Sequence, residues 1–206
     1  MSKKAVPLGE AQRIAEKIKS EIGGYCERIS IAGSIRRQEP SVGDIEIVCQ
    51  PPIRQLKDLW GRKYPDETAS VRVLSNHLAG PMCLRKVKGG DRFQQWIIPY
   101  PVSGLIGNEL TLDLFIVLPP ANWGVIHLIR TGPHHFSRKM VTAKTHGGYL
   151  PRGHRVENGQ IINGYDGEPV GVIDTEEDYF QFCGLEYIPP EKRAAAVMSS
   201  VLDKGE

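Results

Sequence analysis

Cysteine is scarce in this chain. There are four in 206 residues, Cys26, Cys49, Cys83 and Cys183, and no two form a Cys-x-x-Cys pair. That spacing excludes a zinc ribbon and argues against a disulfide framework, so buried, reduced thiols are expected. Long hydrophobic runs are also missing: no apolar stretch approaches the ~20 residues that span a bilayer. The basic start Met1-Ser2-Lys3-Lys4 is not followed by an apolar signal core. A cytoplasmic monomer with no membrane partner is the expectation. Acids are absent from one long window: none occurs between Asp113 and Glu157, where Arg130, Arg138, Lys139, Lys144, Arg152 and Arg155 lie with five histidines. From Glu157 to Glu191 the reverse holds, with nine acids and no Lys or Arg. A basic block followed by an acidic one suggests a face turned toward a polyanion.

What is present suits an ordinary folded protein. A hydrophobic content of 40% with 24% charged residues allows ample core, and the length allows one large domain or two small ones. Residues 8–22 place Ala11, Ile14, Ala15, Ile18 and Ile22 at helical spacing, stopped by Gly23-Gly24. The run Ile29 to Ala32 reads as a strand leading into the Gly33-Ser34 turn, and Ile45 to Val48 as a second strand ended by Pro51-Pro52. Residues 53–60 read as a short helix, whereas 61–82 carry no clear period. Leu84–Val87 and Phe93–Ile98 suggest a hairpin around Gly89-Gly90, followed by a Pro/Gly loop and a strand at Leu110–Leu118. Helices are expected from Asn122 to Arg130, over 134–145 and from Asp174 to Gly184, with a hairpin turn at Asn158-Gly159. The tail from Ala194 reads as a terminal helix or a frayed end. Trp60, Trp96 and Trp123 read as core or interface anchors.

The chemistry concentrates at Gly33-Ser34 and, nine residues later, Gly43-Asp44-Ile45-Glu46. Residues two apart on a strand share a face, so Asp44 and Glu46 would point one way and the aliphatics the other. Two adjacent acids repel unless a cation joins them, and hard Mg²⁺ takes oxygen ligands while retaining affinity for phosphates. A Gly-Ser turn nearby can present N–H groups to a polyphosphate, with Arg36 or Arg37 supplying guanidinium contacts. Asp113 is the only charge in Leu110–Leu118, and a lone carboxylate in an aliphatic strand is costly unless paired or metal-bound. Three carboxylates on two adjacent strands fit a two-metal arrangement for in-line phosphoryl transfer, with Mg²⁺ expected and Mn²⁺ as the other candidate. His134, His135, His146 and His154 lack cysteine or carboxylate company at a zinc spacing and read as polar or phosphate-contacting.

Gly33-Ser34-Ile35-Arg36-Arg37, Gly43-Asp44-Ile45-Glu46 and Leu112-Asp113-Leu114 together resemble the nucleotidyltransferase superfamily that includes the DNA polymerase beta-like enzymes. Trp123-Gly124 to Thr131-Gly132, Phe136 to Lys144, Gly167-Glu168-Pro169 to Phe180, and Gly184 to Glu191 are similar to the nucleotide-side lobe of the family X DNA polymerases. The resemblance covers roughly residues 5–193. It implies an α/β (α+β) fold: a nucleotidyltransferase palm with a mixed or antiparallel sheet over 1–120, a small fingers or thumb lobe over 121–193, and a tail over 194–206. It implies transfer of dNMP from dNTP to a primer 3′-hydroxyl on primer–template or gapped DNA, of a repair or gap-filling type. Asp44, Glu46 and Asp113 would ligate two ions. Gly33, Ser34, Arg37 and Gly43 would hold the triphosphate, and Arg130, Thr131, Gly132, Ser137 and Arg138 would lie on the nucleotide and base side.

The sequence departs from the family pattern in places. The second carboxylate is Glu46 where Asp is usual, Ile129-Arg130 replaces a Tyr-Phe pair that crowds the sugar 2′ position, and Val141 stands where an Arg meets the template. The family's N-terminal triphosphate arginine is matched by Ala5, with Lys3 and Lys4 nearby. The likeness begins at the palm, so a minimal form without lyase or helix-hairpin-helix domains is expected. A template-independent or NTP-using transferase, and a non-catalytic DNA-end-binding module, are the alternatives these departures leave open.

Overall fold

The computed structural model describes residues 5–57, 59–99 and 109–198; the expected Pro/Gly loop after Ile98 lies largely outside them. The chain is mixed α/β and divides into two compact units. The first comprises the residues up to Ile31 and Pro40–Leu118, the second Ala32–Glu39 and the chain from Pro119 onward. Sequence reading places the 32–39 segment in the first domain, whereas it groups with the second.

In the first unit a short strand β1 (Val6–Pro7) leads into helix α1 (Leu8–Gly23). The apolar stripe of α1, Ala11, Ile14, Ala15, Ile18 and Ile22, is fully buried, and the helix packs on two strands, β2 (Arg28–Ile31) and β4 (Ile45–Gln50). Between them, β3 (Ser41–Val42) pairs with β1. The main sheet has five strands in the order β2-β4-β9-β8-β7, with β7 (Arg85–Lys88), β8 (Phe93–Ile98) and β9 (Leu110–Ile116). β4 and β9 run parallel, whereas the other neighbours in this sheet are antiparallel.

Strand alternation then sorts the side chains. The register pairs Ile45 with Leu112, Ile47 with Leu114 and Cys49 with Ile116, an aliphatic set that is almost entirely buried. The opposite face receives Glu46 beside Asp113 and Val48 beside Phe115.

The described part of 53–60, residues 53–57 and 59–60, is not helical. Arg54–Lys57 forms β5 and pairs antiparallel with β6 (Lys63–Asp66). Local propensity yields here to cross-strand pairing, which stabilises an extended chain whatever its helix preference. The segment without a clear period contains α3 (Glu67–Ala79), started by Asp66, whose carboxylate accepts the Thr68 and Ala69 N–H groups at 3.0 and 2.9 Å.

The second unit holds α2 (Gly33–Arg36), α4 (Trp123–Thr131), α5 (His134–Val141), a hairpin of β10 (His154–Glu157) and β11 (Gln160–Asn163), α6 (Glu176–Cys183) and α7 (Arg193–Met198). Asn158 and Gly159 take positive φ of 50° and 76°, the primed turn their dipeptide favours. A core of Val125, Leu128, Phe136, Met140, Leu150, Ile161, Tyr179 and Phe180 joins α4, α5, β11 and α6. Thr175 caps α6 in a reciprocal box with Asp178, and Gly184 ends the helix in the left-handed region.

The helix expected over 134–145 stops at Val141. Thr142 turns extended, its carbonyl accepts the Leu150 N–H, the Lys144 N–H donates back to the Leu150 carbonyl, and Lys144–His146 forms a single 3₁₀ turn. Gly148 makes this return feasible, because a Cβ there would lie 1.9 Å from the Thr142 carbonyl oxygen. All four cysteines are free, yet only Cys49 and Cys183 are buried; Cys26 is half-buried and Cys83 exposed. Trp96 and Trp123 are buried, whereas Trp60 is exposed with Arg62 over its ring.

Candidate active site and nucleic-acid interface

Glu46 and Asp113 are direct partners across the parallel pair β4–β9, which sets their carboxylates side by side on one face of the sheet. Both are half-buried. Asp113 Oδ1 accepts a 2.8 Å hydrogen bond from Gln95 Nε2, and Gln95 is its register partner on β8. Sequence reasoning missed Gln95; the signal is its place at the centre of the Phe93, Gln95, Ile97 alternation, on the same side as the acids.

Asp44 behaves differently from expectation. β4 begins at Ile45, so Asp44 sits in the bend before the strand and strand alternation does not fix its direction. Among the described residues no group of three His, Cys, Asp or Glu side chains is gathered closely enough to hold a metal ion. The donor chemistry of Asp44, Glu46 and Asp113 is that of a hard-cation site, all oxygen and all anionic. Gly43 adjoins open space, where an added Cβ would meet nothing within 4 Å.

In the second unit, α2 is a single helical turn rather than an open Gly-Ser loop. Gly33 opens it at φ 60°, a region that favours glycine. Ser34 Oγ is buried and has no hydrogen-bond partner among the described residues. A buried hydroxyl left unpaired costs roughly 1–3 kcal/mol, which marks it as a group built for something other than packing.

The two arginines of the motif have different partners. Arg36 makes a fork to Glu176, Nη1 to Oε1 at 2.6 Å and Nη2 to Oε2 at 2.8 Å, and its Nη1 also donates to Thr131 Oγ1 at 2.6 Å. Arg193 approaches the same carboxylate at 3.0 and 2.8 Å, and Tyr187 OH donates at 3.3 Å. Burial alone would push the Glu176 carboxyl up, but the hydrogen bonds and charges of Arg193 and Arg36 outweigh it and hold it at about 2. Arg37 Nη1 donates to the Thr131 carbonyl, while its Nε lies 3.4 Å from Glu39. Thr131 is fully buried with its hydroxyl engaged by Arg36. At Gly132, φ 66° and a Cβ position 3.1 Å from Arg37 Nη1 leave little room for another residue.

The remaining base-side candidates divide between framework and surface. Ser137 is buried and donates to the Ile129 carbonyl at 2.8 Å, tying α5 to α4. Arg130 and Arg138 are exposed. Arg138 lines a cleft of about 430 Å³ with His134, His135, Lys139, Thr142, His146 and Gly147.

Residues 127–194 match the family model of the DNA polymerase beta thumb. The match relates this segment, from within α4 to the start of α7, to DNA polymerases of the beta type and to DNA binding. It contains Arg130, Thr131, Gly132, Ser137, Arg138 and the Glu176–Arg193 pair. The acids Asp44, Glu46 and Asp113 and the α2 turn lie outside the thumb-matched segment. No curated protein matches the chain. Among the described residues no helix is long and apolar enough to cross a membrane.

Proposed function

We propose that the chain is a DNA-directed nucleotidyltransferase that adds dNMP from a dNTP to a primer 3′-hydroxyl. The observation that carries this reading is the in-register pairing of Glu46 with Asp113 on parallel strands, in a chain whose later segment matches a polymerase thumb. In the reaction the primer 3′-oxygen attacks the α-phosphorus, the bond to the bridging oxygen breaks, and pyrophosphate leaves with the electron pair. Asp113 accepts the proton of the attacking hydroxyl, and Gln95 Nε2 keeps the carboxylate turned by holding Oδ1. Glu46 and Asp113, paired in register, would hold Mg²⁺ with Asp44 joining them only when the ion is bound, and the ion would supply a lowered pKa for the attacking hydroxyl and charge neutralisation at the leaving pyrophosphate. Ser34 Oγ, buried and unpaired among the described residues, is the donor for a triphosphate oxygen. Arg36 is committed to Glu176 and Thr131 and acts on α2 and Thr131 rather than on phosphate.

The test is extension of labelled single-stranded primer, primer–template and gapped duplex with Mg²⁺ or Mn²⁺ and each dNTP or NTP. Template-matched dNMP addition, lost in Asp113→Asn, is the expected result. Extension of the bare primer, or equal use of NTP, would replace it with a template-independent or ribonucleotide-using transferase. DNA binding with no incorporation by the wild-type protein would leave a binding module.

A further inference from the structure

Cys26 and Cys49 have no part in the reaction above, yet the fold of the first unit brings their side chains together. α1 ends at Gly23, and a tight turn follows in which the Tyr25 N–H reaches the Ile22 carbonyl at 3.0 Å and the Cys26 N–H the Gly23 carbonyl at 3.1 Å. The chain then enters the sheet at once. The Glu27 N–H donates to the Gln50 carbonyl at 2.8 Å, and Arg28 and Ile29 pair with Gln50 and Cys49. Cys26 therefore stands where the end of α1 meets the end of β4, and its Sγ donates back to the Ile22 carbonyl at 3.4 Å. Cys49 is fully buried on the β4 face that holds Ile45 and Ile47.

The two thiols are hydrogen-bonded to each other. The bond from Cys49 holds the Cys26 thiol below its ordinary range against a smaller upward push from burial. The same bond, joined by burial, raises Cys49 well above that range. Cys26 is only half-buried, so a small solute can reach it, whereas Cys49 is enclosed. The pair is unequal: one accessible thiol that ionises more readily, and one held protonated behind it. The other two cysteines differ. Cys83 is exposed and donates to the Gly80 carbonyl at 3.3 Å, and Cys183 lies in the core of the second unit, where burial pushes its thiol up to about 12.

We propose that Cys26 and Cys49 form a reversible disulfide when the chain meets a peroxide, with Cys26 as the attacking thiol and Cys49 as the resolving one. The Cys26 thiolate attacks one oxygen of hydrogen peroxide, the O–O bond breaks, and the other oxygen leaves and takes up a proton as water, giving a sulfenic acid on Cys26. Cys49 Sγ then attacks Cys26 Sγ, the S–O bond breaks, and hydroxide leaves with the Cys49 proton as water. Two thiols are oxidised and one peroxide is reduced; a dithiol reverses the bond. A disulfide needs its sulfurs about 2 Å apart, which two thiols already in contact reach by side-chain rotation at the half-buried Cys26. The bridge closes the chain over residues 26–49, the segment that carries Ser34, Asp44 and Glu46. It forms whether or not the chain transfers nucleotides.

In the experiment the full chain, reduced and then freed of reductant, is treated with a few equivalents of hydrogen peroxide. It is blocked with N-ethylmaleimide in denaturant, digested without reduction and mapped by mass spectrometry. A peptide pair joining Cys26 to Cys49, about 2 Da lighter than its two reduced halves together, is expected, and dithiothreitol should restore both thiols. Cys49→Ala removes the resolving thiol, so dimedone should trap a sulfenic acid on Cys26. Cys26→Ser should leave Cys49 unoxidised. The wild-type map stands by itself where a substitution upsets folding. Oxidation of Cys83 with Cys26 and Cys49 both recovered as maleimide adducts would overturn the proposal. So would a disulfide through Cys83 or Cys183 in place of the Cys26–Cys49 bond. Dimedone on Cys49 in Cys26→Ser, with none on Cys26 in Cys49→Ala, would overturn the assignment of Cys26 as the attacking thiol.

Discussion

Arg36 and Glu176, 140 residues apart in sequence, are joined by a two-point hydrogen bond at 2.6 and 2.8 Å, and Arg193 grips the same carboxylate from its own side. The carboxylate is almost wholly buried, with 2% of the side chain exposed. Removing it strands two guanidinium groups, one of them fully buried. Glu176→Ala is expected to cost about 3–5 kcal/mol, the range for breaking a buried ion pair by deleting one partner. Urea unfolding of wild type and variant measures it, and a cost below about 1 kcal/mol would show that the triad contributes little.

The same group gives stability a pH signature. Glu176 is held at about 2 in the folded chain, below its ordinary value of 4.5, so the unfolded chain takes up the proton first. Its contribution is complete above about pH 4.5 and is lost as pH falls from there through about 2. Wild type should lose stability over that interval more steeply than Glu176→Gln, whose neutral side chain cannot titrate. Melting temperatures measured between pH 2 and 7 decide it; parallel curves would contradict the linkage.

Ser34 is expected to separate stability from function. Ser34→Ala removes a buried hydroxyl that has no protein partner among the described residues, so folding stability should stay level or rise by up to about 1 kcal/mol. Triphosphate affinity should fall about tenfold or more, the worth of one hydrogen bond to a charged group. Thermal melts with and without dNTP measure both at once. A destabilised variant with unchanged nucleotide binding would make Ser34 a packing residue.

Gln95 should matter through Asp113. Gln95→Ala leaves the carboxylate unheld at Oδ1 and is expected to lower primer extension about 10–100-fold, as loss of an orienting partner does. A changed Mg²⁺ dependence, with a melting temperature close to wild type, would distinguish positioning from general damage. Partial rescue by Gln95→Asn would support the same role.

Gly124 sets two tendencies against each other. Alanine is favoured over glycine within a helix by roughly 1 kcal/mol. Yet a Cβ at 124 would lie 2.1 Å from the Thr175 carbonyl oxygen and 2.6 Å from its carbon, both backbone atoms. The clash dominates, since overpacking of this kind typically costs about 1–3 kcal/mol and here requires backbone movement. Gly124→Ala is expected to be destabilised by about 2 kcal/mol in urea unfolding, and a stabilised variant would mean the α4–α6 approach is looser than described.

The elements with a strong period were readable from sequence. The stripe of α1, the Ile45–Val48 strand, the alternation of β8 and the Asn158-Gly159 turn each carry local signals that tertiary structure reinforces. Residues 53–60 were not readable, because Arg-Gln-Leu-Lys has no strand signature and acquires its extended form only from β6. At the candidate site, the shared face of Glu46 and Asp113 followed from strand logic once the two strands were neighbours. Asp44 escaped that logic because the strand starts one residue later. The roles of Arg36 and Arg37 could not be separated by sequence, since what distinguishes them is Glu176 and Thr131, both distant along the chain.

The parallel pairing of β4 with β9 has a kinetic side. Antiparallel neighbours can close through a hairpin, but parallel ones need a long crossover, here the whole chain between Gln50 and Leu110. Closing so long a loop is entropically unfavourable and precedes any reward from the contacts it permits. Until that closure Glu46 and Asp113 are carboxylates on separate segments, with no mutual repulsion. The acid pair therefore comes into being with the completed sheet, and partly folded chains lack it altogether.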